Sequence, residues 1–291
     1  MTTFTTKPKG PFSLEESATF GFGQRSAQAF DGVMRLTFCL DDFSGHAGVE
    51  VRQDKAGVHC TVVGSDAVET IRRQVERVLS LDHDATGFTA VADRDPVIGR
   101  LQSAAPGLRP PLFYSPYEAA AWSVLSARRP EQQMKQVRQR LSEAHGASFD
   151  VAGQRLAAFP SPTQLLAVTA FPGIPEAKLD RLHGVARAAL DGWLDPMRIC
   201  GQDPETAMTE LQRIKGIGPF YSALILIRAS GVTDVLPPDE PRVREVSRSL
   251  YGLAASPTVE EFAKIAEPWR PWRTWCVVLM RAAGARLLAA T

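Results

Sequence analysis

The spacing of apolar positions changes character near residue 105. Upstream, short apolar stretches favour strands: residues 33–38 and 58–63 are rich in β-branched and aromatic side chains, and 45–52 opens with turn residues before alternating. Residues 66–81 carry Val68, Ile71, Val75, Val78 and Leu79 at helical spacing, with Asp66 placed to cap a helix there. Downstream the period is helical almost throughout. It predicts helices over 116–127, 130–145, 161–170, 175–190, 204–214, 219–229, 241–251, 258–267 and 271–288. Prolines recur at their first turns, where the missing N–H costs nothing. The pattern therefore predicts an α+β chain in three parts. Residues 1–12, rich in Thr, Lys and Pro, read as a disordered tail; 13–105 as a small sheet-and-helix domain; and 106–291 as an all-α domain with no strand signal.

Composition narrows the classes. Hydrophobic residues at 44% and charged residues at 22% are ordinary for a soluble globular chain of this length. No apolar run is long enough for a bilayer, and Met1-Thr2-Thr3-Phe4 lacks the regions of a signal peptide. The expectation is a cytoplasmic protein, nucleoid-associated if bacterial, with no membrane partner. Cys39, Cys60, Cys200 and Cys276 lie far apart without a CxxC pair, which argues against zinc and for buried free thiols. The net charge is only +1, but it is unevenly spread: −3 over residues 1–105, zero over 106–210 and +4 over 211–291. A modest basic face in the last third suits a protein that grips a few phosphates locally.

The candidate chemistry begins in that last third. Residues 211–223 (LQRIKGIGPFYSA) read as a helix end, a tight hairpin and a new helix start. Gly216 and Gly218 can adopt positive φ and let a backbone approach closely. The amides around Ile217 would then face an anion at a helix N-terminus, with Lys215 beside them. A DNA phosphate is the natural guest; an ordinary tight turn is the alternative. Twenty residues on comes Asp234-Val235-Leu236-Pro237-Pro238-Asp239-Glu240-Pro241, and later Pro268-Trp269-Arg270-Pro271-Trp272-Arg273-Thr274-Trp275.

This order resembles the helix-hairpin-helix base-excision DNA glycosylases, and within them the bacterial inducible 3-methyladenine (type II) branch. Segments 106–110 (PGLRP), 159–163 (FPSPT) and 171–174 (FPGI) fit the same branch. The resemblance covers roughly residues 106–291 and is most specific from 211 to 275. It implies a small antiparallel-sheet domain before a helix-hairpin-helix core. It also implies a monomer that acts on double-stranded DNA containing damaged bases.

The resemblance assigns roles residue by residue. The catalytic carboxylate of the family, laid on without gaps, falls on Glu240, because Val243 and Val246 match the apolar positions that follow it; a shift of one residue would give Asp239. The family has aspartate there, so this chain departs from the pattern by one methylene. Either acid would also suit a helix cap before Pro241. Phe220 stands where bifunctional relatives keep a lysine, which implies a monofunctional enzyme. Phe220 and Tyr221 take the place of an aromatic that stacks on an alkylated base, with core packing the alternative; Trp269, Trp272 and Trp275 read mainly as packing, with Trp272 the exception offered to the pocket. Arg128 and Arg129 fall in the loop that fills the gap left by an extruded base, where relatives carry glutamine and an apolar wedge; an arginine there could fill the gap, or could equally be a solvated charge that binds phosphate. A monovalent cation, Na+ or K+, would bind the backbone carbonyls of Gln212, Ile214 and Ile217; no other cofactor is implied. The competing expectation, prompted by glutamate at the catalytic position, is a helix-hairpin-helix protein that binds DNA without cleaving it.

Overall fold

The structure, a computed structural model, describes residues 2–20, 30–237 and 240–289. Its first third is built on a four-stranded antiparallel sheet ordered β1-β4-β3-β2, with β1 at Thr2–Thr6, β2 at Met34–Cys39, β3 at His46–Asp54 and β4 at Gly57–Val63. Alternation places Leu36, Phe38, Val49, Val51, Val58 and Val62 in one core. Helix α1 (Leu14–Thr19) supplies Leu14, and α2 (Val68–Val78) covers the core with Ile71, Val75 and Val78. Asp66 does not cap α2; the cap position is Ala67, and no side chain bonds there.

The first residues are not a disordered tail. Thr2–Thr6 pairs with β4 in register Phe4↔Cys60, and Phe4 is buried. Behind it, the buried Arg109 guanidinium donates to the carbonyls of Lys9, Gly10 and Pro11. Both anchors lie far along the chain, so local composition could not announce them.

Three short helices follow: α3 (Thr86–Thr89), α4 (Val91–Arg94) and α5 (Pro96–Ala104). Their apolar residues Phe88, Val91, Ile98 and Leu101 share a core with Val243, Trp269, Trp275 and Met280 from the C-terminal end. Asp95 caps α5 and accepts from Tyr251 Oη and Trp269 Nε1.

The helical region continues with α6 (Pro116–Ser126), α7 (Glu131–His145), α8 (Pro162–Leu166), α9 (Glu176–Leu190), α10 (Pro196–Cys200), α11 (Pro204–Leu211) and α12 (Pro219–Ala229). These pack around Trp122, Leu125, Leu182, Ile214, Ile217 and Ile225. Helices α13 (Pro241–Leu250), α14 (Val259–Ala266) and α15 (Arg273–Ala289) close the chain on the other core.

The region is not wholly helical, contrary to expectation. β5 (Ala147–Val151) and β6 (Gln154–Ala158) form a hairpin through Ala152 (φ +44) and Gly153 (φ +76), the two positive φ values of a tight primed turn. It docks on the sheet at Gly48, where an added Cβ would come within 2.9 Å of Phe149 Cβ. Cys39, Cys60 and Cys276 are buried, whereas Cys200 is exposed. Among the described residues no helix is long and apolar enough to cross a membrane.

Candidate functional site

The hairpin between α11 and α12 is held from beneath. Ile214 and Ile217 are both buried, and the Ile217 N–H donates to the Ile214 carbonyl at 2.9 Å. Ile217 is thus an anchor whose amide is used inside the turn, not an amide offered outward. Gly216 has φ +102 and needs the left-handed region that glycine allows; Gly218 does not, with φ −97 and ψ −175. What distinguishes Gly218 is open space. It caps α12 with no side-chain hydrogen bond, and an added Cβ would meet nothing within 4 Å. Because Pro219 carries no N–H, the first-turn amides of Phe220 and Tyr221 are the donors left without helical partners. Lys215 and Arg213 flank the turn, both exposed.

Phe220 is 63% exposed, unusual for so large an apolar side chain, and meets Tyr221 edge-on with ring centroids 5.3 Å apart. Tyr221 leans on the core below. Trp272 lies elsewhere. At 8% exposed it stacks with Trp275 (4.7 Å) and Phe88 (5.8 Å), so its indole is committed to packing in the C-terminal core.

The positive face is broader than the count along the chain suggests. Arg128 and Arg129 are exposed immediately beyond α6, and Arg128 has φ +56, a conformation non-glycine residues rarely adopt. Helix α9 adds two cations that sequence reasoning missed. Lys178 reaches the end of α6, and a Cβ on Gly216 would lie 3.2 Å from Arg181 Cδ and 3.5 Å from Val124 Cγ2. The hairpin, the α6 turn and α9 therefore converge on one basic surface.

The carboxylate region is built differently. The segment leading to Glu240 bridges the two cores: Val232 and Val235 lean on one, Leu236 on the other. Asp234 fixes it, accepting from Arg273 Nε at 2.7 Å and Arg270 NH1 at 2.8 Å. Thr274 Oγ1 donates to the Val235 carbonyl and accepts the Val235 N–H, and the Thr274 N–H donates to Thr233. The W-R-P-W-R stretch thus has two uses: its tryptophans pack, and its arginines clamp the strand of chain that carries the acid.

Glu240 occupies the cap position of α13, with its carbonyl accepting the N–H groups of Val243 and Arg244. Its side chain does not cap the helix. It pairs instead with Arg281 of α15, Oε2 to NH1 at 3.0 Å, and its side chain is 17% exposed. Val243 is fully buried, and Val246 faces Gly284 of α15, where an added Cβ would be 2.6 Å from Val246 Cγ1. Asp239 lies outside the described residues.

Of the carbonyls expected to hold a cation, that of Ile214 accepts the Ile217 N–H; backbone carbonyls are hard oxygen donors of the kind that Na+ or K+ would take.

Comparisons with known proteins agree with this geometry. No family model matches the chain. It is 25% identical over 210 residues to the DNA-3-methyladenine glycosylase of Bacillus subtilis, covering 69% of this chain and 68% of that protein. It is 29% identical over 185 residues to DNA-3-methyladenine glycosylase 2 of Escherichia coli, covering 62% of each. The chain thus spans about two thirds of the length of these relatives. Its fold superimposes on the 3-methyladenine DNA glycosylase of Archaeoglobus fulgidus with a TM-score of 0.76 at 19% identity, over 96% of this chain and 97% of that one. The α+β architecture is shared with the Archaeoglobus fulgidus 3-methyladenine DNA glycosylase, and the sequence resembles the DNA-3-methyladenine glycosylases of the two bacteria.

Proposed function

We propose that the chain is a monofunctional DNA glycosylase that extrudes alkylated purines of the 3-methyladenine type from double-stranded DNA and hydrolyses their N-glycosidic bond, in base excision repair. One observation carries the reading: Phe220, a large aromatic left in solvent beside Tyr221, at the N-terminus of a helix with uncommitted amides. A purine nucleotide methylated at N3 or N7 is cationic, and an aromatic face attracts a cation. The amides and the surrounding Lys215, Arg213, Arg181 and Arg129 bind the backbone phosphates.

The chemistry falls to Glu240. As the bond from C1′ to the base nitrogen lengthens, positive charge moves from the base onto the sugar. A carboxylate near that carbon stabilises the developing oxocarbenium ion and can orient the water that completes hydrolysis. The base leaves neutral, so an already cationic purine needs no proton from the protein. Phe220 in place of a lysine leaves no amine two residues beyond Gly218 to attack the sugar, hence no strand cleavage. A monovalent cation on the hairpin carbonyls would add a positive charge at the phosphate. The protein acts as a monomer.

A second reading has an observation of its own. Arg281 offsets the Glu240 charge, which would weaken its hold on an oxocarbenium ion. On that reading the protein binds lesions without excising them. Duplexes carrying single alkylated, deaminated or oxidised bases, treated with hot alkali after incubation, test both. The proposal expects abasic sites at alkylated purines and no covalent complex with borohydride. Binding without abasic sites at any lesion would favour the second reading.

A further inference from the structure

The turn that follows α6 is held by a side chain fifty residues away. Helix C-termini leave carbonyls without partners, and a cation there satisfies them and the helix dipole together. Lys178 does this for α6. Its Nζ donates to the carbonyls of Val124 (3.0 Å), Leu125 (2.5 Å) and Ala127 (3.0 Å), all three ammonium hydrogens directed into one turn. Burial, and then the charges of Arg129 and Arg181, push its pKa below the ordinary lysine value. A cation kept among other cations and half-buried is an expensive way to end a helix. Its consequence is local: the backbone is bent through Ala127 (φ −51, ψ 118) into Arg128 at φ +56, which leaves the Arg128 side chain exposed beyond the helix. On the same basic surface, Arg181, one turn further along α9, lies against the hairpin at Gly216.

We propose that Lys178 is a positioning residue for base extrusion. It fixes the Ala127–Arg129 turn in the left-handed conformation that directs Arg128 into the space vacated by an extruded purine. This rests on the glycosylase reading, and it assigns Lys178 no contact with the base or sugar. Arg128 fills the gap; Lys178 ensures that it points there.

The test is Lys178→Met, which keeps the length of the stem and removes the three hydrogen bonds, beside Lys178→Arg, Arg128→Ala and the double variant. Extrusion is read from the fluorescence of 2-aminopurine beside an alkylated base analogue, independently of excision, and affinity is measured on undamaged duplex. Lys178→Met should lower the extrusion signal roughly tenfold, as misplacement of a positioned group does, with affinity for undamaged DNA changed by less than about threefold. Lys178→Arg, which keeps a cationic donor, should restore most of the signal. Because both residues act through one turn, Arg128→Ala added to Lys178→Met should cost little more. Independent, multiplying effects would overturn the proposal. So would a loss of undamaged-duplex affinity as large as the loss of extrusion, which would make Lys178 a phosphate ligand. If Lys178→Met does not fold, Lys178→Gln, which can reach at most one or two of the three carbonyls, takes its place with the same expected loss, and an unchanged extrusion signal in folded Lys178→Gln overturns the proposal. A wild type that extrudes but does not excise would count against the catalytic reading and leave this comparison readable.

Discussion

The two halves of the site reach their purposes by different means. On the proposed function the hairpin region would work through backbone and net charge: a turn closed by Ile217, an open cap at Gly218, first-turn amides without helical partners and cations contributed by α9 and the α6 turn. No single side chain defines it. On the same proposal the carboxylate region would work through one side chain, Glu240, downstream of a segment that two arginines and a threonine hold at Asp234 and Val235. Binding in such a molecule should degrade gradually under substitution, whereas chemistry should fail at one position.

Glu240→Gln gives the largest expected separation of the two. It keeps the shape and removes the charge proposed to stabilise the sugar cation, so single-turnover excision should fall on the order of 100-fold or more. Duplex affinity, measured by fluorescence anisotropy, should hold. Equal losses in both would erase the division between the regions.

Gly218→Asp is the converse experiment. Aspartate is a preferred helix cap and nothing occupies the space its Cβ would enter, so the variant should fold at least as well as the parent. It places a negative charge where a phosphate would sit. Non-specific affinity should weaken roughly tenfold, and the salt dependence should become shallower by about one phosphate contact. A variant of undiminished melting temperature and unchanged affinity would show that DNA lies elsewhere.

Asp234→Asn sharpens the account of the clamp, with a smaller effect. It leaves Arg270 and Arg273 with a weaker acceptor, at a cost of roughly 1–3 kcal/mol in unfolding free energy. Chemical denaturation should report that loss. Excision should fall more than binding, because the segment loosened is the one that carries Glu240. A loss confined to binding would place the clamp in the wrong half.

These contrasts also explain what could be read from the chain beforehand. The hairpin was legible because its signals are local: two glycines, a proline and apolar anchors within eight residues. The assignment of Glu240 rested on the register set by Val243 and Val246, both of which face inward against α15. Its partner Arg281 lies forty-one residues away, and nothing local marked it. The same distance hid Lys178, whose bonds span more than fifty residues, and the use of Arg270 and Arg273 in holding Asp234. The β5–β6 hairpin did leave a trace, an Ala-Gly turn between alternating Phe149, Val151, Leu156 and Ala158, but its strands are too short to stand out among helices. Trp272 could not be separated from Trp269 and Trp275 by spacing; only packing shows that all three are buried.

The most direct measurement is the rate at which 3-methyladenine is released from methylated duplex by the wild-type protein and by Glu240→Asp, at saturating protein. If Glu240 is the working acid in a pocket fitted to its length, the wild type releases the base. Shortening the side chain then withdraws the carboxylate from Arg281 and from the sugar, and the rate falls on the order of 100-fold. A silent wild type and an active Glu240→Asp would contradict this. The glutamate would then be what disables the site, and the native protein would be a binder of damaged DNA.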